Sequence, residues 1–235
     1  MILCYITDRS QFPGPESARR KRLLAQIAEA ARAGVDYIQL REKDLPAHEL
    51  EQLAHDVVEV LLATRPSPLT TRLLATRPSP LTTRLLINSR TDVALAAGAH
   101  GVHLRSDDIS PGEVRAIWAR AARHSPLATR HFVLSASCHT VAEVARAAAA
   151  RADFILFGPV FEKEGAEVPG GLDRLRRACR QRIPVLALGG VTLANAHACL
   201  DAGARGIAGI RLFQQGHLRE VTAFLREGLR PRDPV

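Results

Sequence analysis

A chain of 235 residues, 46% of them hydrophobic, is long enough for one barrel-sized domain or two smaller ones, either with a substantial core. Its net charge of +8 and pI of about 10.1 permit nucleic-acid binding, but only 4% of its residues are aromatic and able to stack on bases. We therefore favour an enzyme for small phosphorylated compounds, which the excess positive charge would attract, over a nucleic-acid-binding protein.

The sequence shows no feature of a membrane or secreted protein. No uninterrupted apolar run reaches the roughly 18 residues that predict a membrane span. The N-terminal segment meets Asp8 and Arg9 too early to hold the apolar part of a signal peptide. The four cysteines lie far apart, without zinc-binding or disulfide spacing. We expect free structural thiols, a cytoplasmic location and neither membrane nor nucleic acid as partner, while a homodimer is left open.

Short apolar runs alternate with helix-like segments along the chain. The runs predict eight strands, over residues 2–6, 36–40, 85–88, 101–104, 132–137, 153–157, 185–188 and 207–210. The intervening patterns predict helices over 16–33, 46–62, 91–97, from 110 onward, 140–150, 171–180, from an N-cap at Thr192 to Gly203, and 218–229.

This alternation predicts the α/β class and a single (β/α)8 TIM barrel over residues 1–235. A doubly wound open sheet is the competing fold. It would place a glycine-rich turn after the first strand, where this chain reads Thr-Asp-Arg-Ser-Gln-Phe. We therefore favour the barrel.

An exact tandem duplication interrupts the pattern, because LLATRPSPLTTR at 61–72 is repeated at 73–84. Two prolines in each copy exclude a continuous helix, and two copies are too few for a solenoid. We interpret the 61–84 segment as a lengthened loop between the second helix and the third strand. Such a loop lies at the end of a barrel opposite the catalytic end, and a recognition role is the alternative.

Polar side chains follow the C-terminal ends of the predicted strands, where barrel enzymes hold their chemistry. Arg41 and Lys43 could offer a bidentate fork and a point charge to a phosphate or pyrophosphate. Asp108 could hold Mg²⁺, which prefers one or two carboxylates together with substrate phosphate oxygens. For the two cations, the alternative is a network of charges on the surface. For the acidic position, the alternative is a helix cap, which the neighbouring Asp107 could equally form.

The last two strands carry a second polar feature. Gly189 and Gly190 follow the seventh strand, and Ile210 and Arg211 end the eighth. Loops at these two positions form a phosphate pocket in many (β/α)8 barrels. The alternative is an ordinary βαβ unit whose glycines serve only to turn the chain.

Six motifs in order give the chain a family resemblance. They are YIT-D at 5–8, QLREK at 39–43, IN-x-R-x-D-x-ALAAGAHGVHL at 87–104, S-x-H-T-x-x-E at 137–143, GPVF at 158–161 and LGGV-T-x-x-N at 188–195. Together they resemble thiamin phosphate synthase and, equally, its relative the thiazole tautomerase. Both relatives are (β/α)8 barrels.

The resemblance implies a coupling reaction of thiamin biosynthesis. In the synthase, hydroxymethylpyrimidine diphosphate loses pyrophosphate and the nitrogen of a thiazole phosphate captures the resulting cation. By this resemblance, the pyrimidine diphosphate is contacted by Gln39, Arg41, Lys43 and Asn88, with Ser137 near the pyrimidine. Asp108 would bind Mg²⁺, and Gly190 with the backbone of Ile210 and Arg211 would hold the thiazole phosphate.

Several positions depart from the synthase pattern. Ser89 stands where the synthase has a second aspartate, and Ser106 stands where it has glutamine. Residues 162–166, Glu-Lys-Glu-Gly-Ala, replace a Thr-x-Thr-Lys loop that grips pyrophosphate. The tautomerase, which needs no metal, is therefore the second interpretation, with His139 as its acid/base. A non-catalytic phosphate-ligand-binding barrel is the third.

Overall fold

The eight predicted strands form a closed barrel. The computed structural model describes residues 1–65, 82–121, 132–162, 168 and 170–227. Each strand pairs in parallel with the next along the chain, and the last pairs with the first. The strands are β1 (Ile2–Ile6), β2 (Tyr37–Leu40), β3 (Arg84–Asn88), β4 (Gly101–Leu104), β5 (Val133–Cys138), β6 (Phe154–Phe157), β7 (Val185–Ala187) and β8 (Gly206–Gly209). The prediction of a (β/α)8 barrel is confirmed.

Helices connect the strands and cover the outside of the barrel. In the described ranges they are α1 (Glu16–Arg32), α2 (Ala47–Ala63), α3 (Thr91–Ala96), α4 (Pro111–Ala121), α5 (Val141–Ala149), α6 (Gly171–Cys179), α7 (Ala196–Asp201), α8 (Arg211–Gln214) and α9 (Leu218–Glu227). None of these described helices is long and apolar enough to cross a membrane. Predicted and observed ends agree closely for most elements, and Thr140 with Glu143 forms the expected capping box of α5.

The predicted start of α7 is wrong. Thr192 is not its N-cap, because the helix begins only at Ala196. The side chain of Asn195 folds the preceding residues into a turn: its Oδ1 accepts from the Thr192 N–H at 2.8 Å, and its Nδ2 donates to the Gly190 carbonyl at 3.1 Å. A side chain that bonds the backbone locally competes with the helix for those groups.

The duplicated segment begins in a helix and ends in a strand, so its two ends are not part of a loop. Its first residues complete α2, where Leu61 is buried, and its last residue, Arg84, opens β3. Residues 66–81 lie outside the described ranges. The interpretation of the duplication as a lengthened loop therefore stays a prediction.

The core has two layers, as the continuous apolar strands require. Side chains from alternate strand positions fill the barrel interior, among them Cys4, Ile6, Leu86, Val133, Phe154, Leu156, Leu186 and Ala208. The opposite strand faces pack against the helices in a larger cluster. All four cysteines are free, as expected, and burial raises the pKa of the Cys199 thiol to about 12. Such a thiol stays protonated and unreactive near neutral pH.

Candidate active site

The C-terminal mouth of the barrel is polar on the side of β2 to β5. Gln39 near the end of β2 is 2% exposed, and its Nε2 donates to Oδ1 of Asn88 on β3 at 2.9 Å. Nδ2 of Asn88 donates to Ser89 Oγ at 3.2 Å. Oε1 of Gln39 is buried and accepts no hydrogen bond from any described residue. A buried acceptor without a donor is costly, so this oxygen is suited to receive a ligand's N–H or O–H.

Two serines and a histidine continue this polar side. His103 on β4 is buried, with its Nδ1 2.8 Å from Ser135 Oγ and its Nε2 2.8 Å from Ser137 Oγ, both serines lying on β5. Burial lowers the pKa of His103 to about 3. The charge of Asp108 opposes this shift and that of Arg41 adds to it. The ring is therefore neutral at physiological pH, and both charged residues lie within electrostatic range of it.

Arg41 follows β2, and its guanidinium has no partner among the described residues. Its backbone N–H donates to Thr7 Oγ1 at 3.0 Å, but within the described ranges its side chain forms no ion pair or hydrogen bond. Lys43, which is exposed, is likewise unpaired there. In contrast, carboxylates pair with Arg9, Arg20, Arg90, Arg105, Arg115, Arg176 and Arg226. Within the described ranges, Arg41 and Lys43 therefore lack the carboxylate partners that these seven arginines have.

The acidic residues beside these cations bind Arg9 instead. Glu42 is buried and accepts from the Thr7 hydroxyl at 2.6 Å and from the Arg9 guanidinium at 3.1 Å. Arg9 also pairs with Asp44 at 2.7 Å and Glu16 at 2.7 Å. The pKa of Asp44 lies below its usual range because Arg9 donates to it. This network fixes the loop after β2, and the sequence analysis did not find it.

Asp108 lies in the loop after β4, where Arg105 holds it. Its Oδ2 accepts from the Arg105 N–H at 2.7 Å, and its Oδ1 is 3.2 Å from the Arg105 guanidinium. Among the described residues no group of three or more His, Cys, Asp or Glu side chains is placed to hold a metal ion. One carboxylate still suits Mg²⁺, which commonly takes its remaining oxygens from water and substrate phosphates. A bound ion would have to share Asp108 with Arg105.

His139 follows β5 at the rim of the mouth. Its Nδ1 lies 2.5 Å from the Gly158 carbonyl, and its backbone N–H donates to the Glu143 side chain at 2.5 Å. A carbonyl accepts only, so Nδ1 carries the proton and Nε2 is an acceptor when the ring is neutral. The structure shows no hydrogen bond between this ring and Ser137 or Gln39.

The loops after β7 and β8 line a cleft of about 610 Å³. Gly189, Gly190, Ile210 and Arg211 are all part of its wall, as predicted, together with Gln11 from the turn after β1. The N–H groups of Gly190, Val191 and Leu212 donate to no acceptor in the described ranges. Open N–H groups at two adjacent βα loops suit an anion such as phosphate.

The two glycines have a further role that spacing alone did not predict. Both have positive φ values, 91° for Gly189 and 61° for Gly190. A Cβ on Gly190 would lie 1.9 Å from the Glu162 carbonyl oxygen, and one on Gly189 would lie 2.7 Å from the Pro159 Cα. The missing Cβ atoms therefore let the β7 loop pack against the loop after β6. Of the segment 162–166 that differs from the synthase pattern, only Glu162 lies within the described ranges.

The predicted site residues thus fall into two regions and a rim. Gln39, Asn88 and Ser137 share the polar side of the mouth, which Arg41 and Asp108 border. Gly189, Gly190, Ile210 and Arg211 share the β7/β8 cleft. Lys43 and His139 lie on the rim. The sequence analysis missed His103 and Ser135, although the alternation of Gly101 with His103 and of Ser135 with Ser137 marks inward-facing strand positions.

Comparison with known proteins shows which family this chain resembles. Residues 74–213 match the family model described as thiamine monophosphate synthase. The chain is 36% identical over 211 residues to a thiamine-phosphate synthase of Roseiflexus castenholzii, covering 88% of this chain and 78% of that protein. It is 34% identical over 198 residues to the thiamine-phosphate synthase of Methanoculleus marisnigri, covering 82% and 81%. A solved thiamine phosphate pyrophosphorylase from Pyrococcus furiosus superposes with a TM-score of 0.71 at 26% identity, covering 97% of this chain and 95% of that one.

Proposed function

Because the chain belongs to the thiamine monophosphate synthase family, we propose that it couples hydroxymethylpyrimidine diphosphate to a thiazole phosphate, giving thiamin phosphate and pyrophosphate. It would therefore be a transferase of thiamin biosynthesis. The observation that carries the proposal is the unpaired guanidinium of Arg41, whose charge reaches the buried polar side of the mouth. An anionic diphosphate supplies the negative charge that this arginine lacks among the described residues.

The polar side of the mouth would bind the pyrimidine. Gln39 Oε1 is an acceptor that needs a donor, and an exocyclic amino group supplies one. Asn88 accepts from the other end of the Gln39 amide, so in this arrangement Oε1 is the end left for the ligand. The Ser137 hydroxyl lies on the same side and adds a second polar contact.

The reaction itself needs no nucleophilic side chain. The C–O bond between the pyrimidine methylene carbon and the diphosphate breaks, and its electron pair leaves with the pyrophosphate oxygen. The lone pair of the thiazole nitrogen then forms the C–N bond to the same carbon. Arg41 and Lys43 would stabilise the negative charge that develops on the leaving group, which is the main contribution the protein can make. The β7/β8 cleft would hold the thiazole phosphate through its open N–H groups.

Magnesium is part of the proposal. Asp108 would hold the ion on the protein side while diphosphate oxygens complete its coordination. The ion would supply additional charge neutralisation for the leaving pyrophosphate. Ser89 offers a hydroxyl where the synthase pattern has a carboxylate, so we expect weaker metal binding than two carboxylates would give. We also propose a cytoplasmic location, which the four free cysteines support because reduced thiols are typical of that compartment. A homodimer stays a prediction.

The decisive experiment is a coupling assay with the pyrimidine diphosphate and the thiazole phosphate, with and without Mg²⁺. We expect thiamin phosphate and pyrophosphate in equal amounts, and only with the metal. Folded protein that forms no product under these conditions contradicts the proposal. The tautomerase assay and a thermal-shift screen with phosphates would then separate the two alternatives, since a binding protein is stabilised by its ligand without turnover.

His139 is the residue that distinguishes the tautomerase alternative. Its ring is held by the Gly158 carbonyl with Nε2 available as a base. We expect His139→Gln to leave the coupling rate close to that of the wild type. If the wild type has a measurable tautomerase activity and this variant loses it, the tautomerisation would be assigned to the His139 ring.

A further inference from the structure

Ser135, His103 and Ser137 form a row from the closed interior of the barrel to its mouth. Ser135 is 0% exposed and Ser137 is half-buried, and the imidazole lies between their hydroxyls at 2.8 Å from each. The positions of the hydrogens in this row decide what Ser137 can offer to a ligand. They follow from the surroundings of Ser135.

The Ser135 hydroxyl has a single acceptor within the described ranges. Its only hydrogen-bond partner there is Nδ1 of His103. A fully buried O–H group without an acceptor is strongly disfavoured, so Ser135 donates to Nδ1, which must then be unprotonated.

The protonation of Nε2 follows from that of Nδ1. The His103 ring is fully buried, both of its nitrogens face hydroxyl groups, and no carboxylate contacts it in the described ranges. It is therefore neutral and carries one proton, which must lie on Nε2. Nε2–H donates to Ser137 Oγ, and the hydroxyl hydrogen of Ser137 remains available for another acceptor.

We propose that Ser135 and His103 are positioning residues that set the His103 tautomer and thereby present the Ser137 hydroxyl as a hydrogen-bond donor to the ligand in the mouth. The ligand atom is then an acceptor, such as a ring nitrogen of an aminopyrimidine. Only this identification of the ligand rests on the proposed function. The mouth then offers two hydrogen-bonding groups to the edge of a planar ligand. The Ser137 hydroxyl is the donor, and Oε1 of Gln39 is the acceptor.

The tautomer can be measured without any ligand or activity. Protein labelled with ¹⁵N-histidine would be examined at neutral pH by long-range ¹H–¹⁵N correlation, with His103 assigned by the signals missing from His103→Gln. We expect Nδ1 of His103 to show the shift of an unprotonated nitrogen and Nε2 that of a protonated one, with no change down to about pH 5. The reverse pattern, an imidazolium pattern or averaging between tautomers overturns the proposal.

A matched pair of variants tests which serine sets the tautomer. Ser137→Ala keeps the Ser135 donor, so we expect the wild-type tautomer. Ser135→Ala removes the donor to Nδ1, so we expect averaged or reversed nitrogen shifts. The same shifts in both variants overturn the role of Ser135. If Ser135→Ala does not fold, Ser135→Thr retains the hydroxyl and must retain the tautomer.

Kinetics supply a second readout. Ser135→Ala should raise the KM for the pyrimidine diphosphate about three- to tenfold, the effect of one neutral hydrogen bond. In a Ser137→Ala background the same change should have no further effect, because the donor that Ser135 positions is absent. Additive effects would overturn the proposal. A protein that has the predicted tautomer but no coupling activity contradicts the proposed function alone.

Discussion

Gln39 donates through Nε2 to Oδ1 of Asn88 at 2.9 Å, which leaves Oε1 of Gln39 as a buried acceptor without a donor from the described part of the chain. Asn88 thereby occupies the donor end of the Gln39 amide. This buried polar group lies at the mouth of the barrel, where it is suited to accept a hydrogen bond from a bound ligand.

Gln39→Met tests this interpretation because methionine has a similar length and no acceptor. We expect the KM for the pyrimidine diphosphate to rise up to about tenfold, the range of one neutral hydrogen bond. The measurement is steady-state coupling kinetics. Gln52→Met is the matched control, since Gln52 lies exposed on α2 and its side chain hydrogen-bonds to the neighbouring His48. An unchanged KM in Gln39→Met would show that Oε1 receives no ligand donor.

Arg41→Ala tests the anion-binding role. We expect kcat/KM to fall by about 100-fold or more, because a charged hydrogen-bond donor to the leaving group is lost from the transition state. Arg176→Ala is the control, since that arginine is half-exposed on α6 and paired with Asp173. Similar rates in both variants would contradict the assignment of Arg41 to the diphosphate.

His103 should make the stability of the fold depend on pH. Its pKa is lowered from 6.5 to about 3 in the folded protein, so the unfolded chain binds the proton first as the pH falls. Above about pH 6.5, the titration of His103 therefore leaves the unfolding free energy unchanged. Below that pH, the unfolding free energy decreases by roughly 1.4 kcal/mol per pH unit, until the pKa of the folded state is reached.

His103→Gln removes this titration while retaining a side chain that can bond both serines. Urea unfolding at about pH 7 and pH 5 would be compared in the two proteins. Between these pH values we expect the variant to lose roughly 2 kcal/mol less unfolding free energy than the wild type. Equal losses would show that His103 is not held neutral by burial.

The sequence was sufficient for the strands, most helix ends and the placing of polar residues after the strands at the mouth of the barrel. Two features made this possible: apolar runs alternate with helical patterns, and polar residues follow each strand. Both are local patterns that can be read from one sequence. The start of α7 could not be predicted, because it depends on how Asn195 bonds the Gly190 carbonyl.

Contacts between distant parts of the chain were likewise beyond the sequence pattern. Arg9 and Glu42 are 33 residues apart and meet only when β1 and β2 pair. His103 alternates with apolar neighbours and so resembles an ordinary core residue. Its importance arises from two serines on another strand, and no local spacing relates them.

The Arg9 and Glu42 pair allows a stability prediction. Their side chains are only 4% and 1% exposed. Arg9→Ala leaves the Glu42 carboxylate buried without its cation, so we expect a loss of about 3 to 5 kcal/mol in unfolding free energy. Arg90→Ala removes an exposed pair with Asp92 and should cost less than about 1 kcal/mol in the same urea titration. Equal costs would show that the buried network does not stabilise the fold.

Gly190→Ala tests the packing of the β7 loop, and Gly98→Ala is its matched control. Both glycines have nearly the same φ, 61° and 63°, so alanine meets the same backbone strain of about 1 to 2 kcal/mol at each. Only at Gly190 would the new Cβ also collide, 1.9 Å from the Glu162 carbonyl oxygen, whereas nothing lies within 4 Å at Gly98. We expect Gly190→Ala to cost about 1 to 3 kcal/mol more in urea unfolding. It should also weaken binding of the thiazole phosphate in calorimetry, because the open N–H groups move with the loop. Equal stability and equal binding in the two variants would contradict both roles of Gly190.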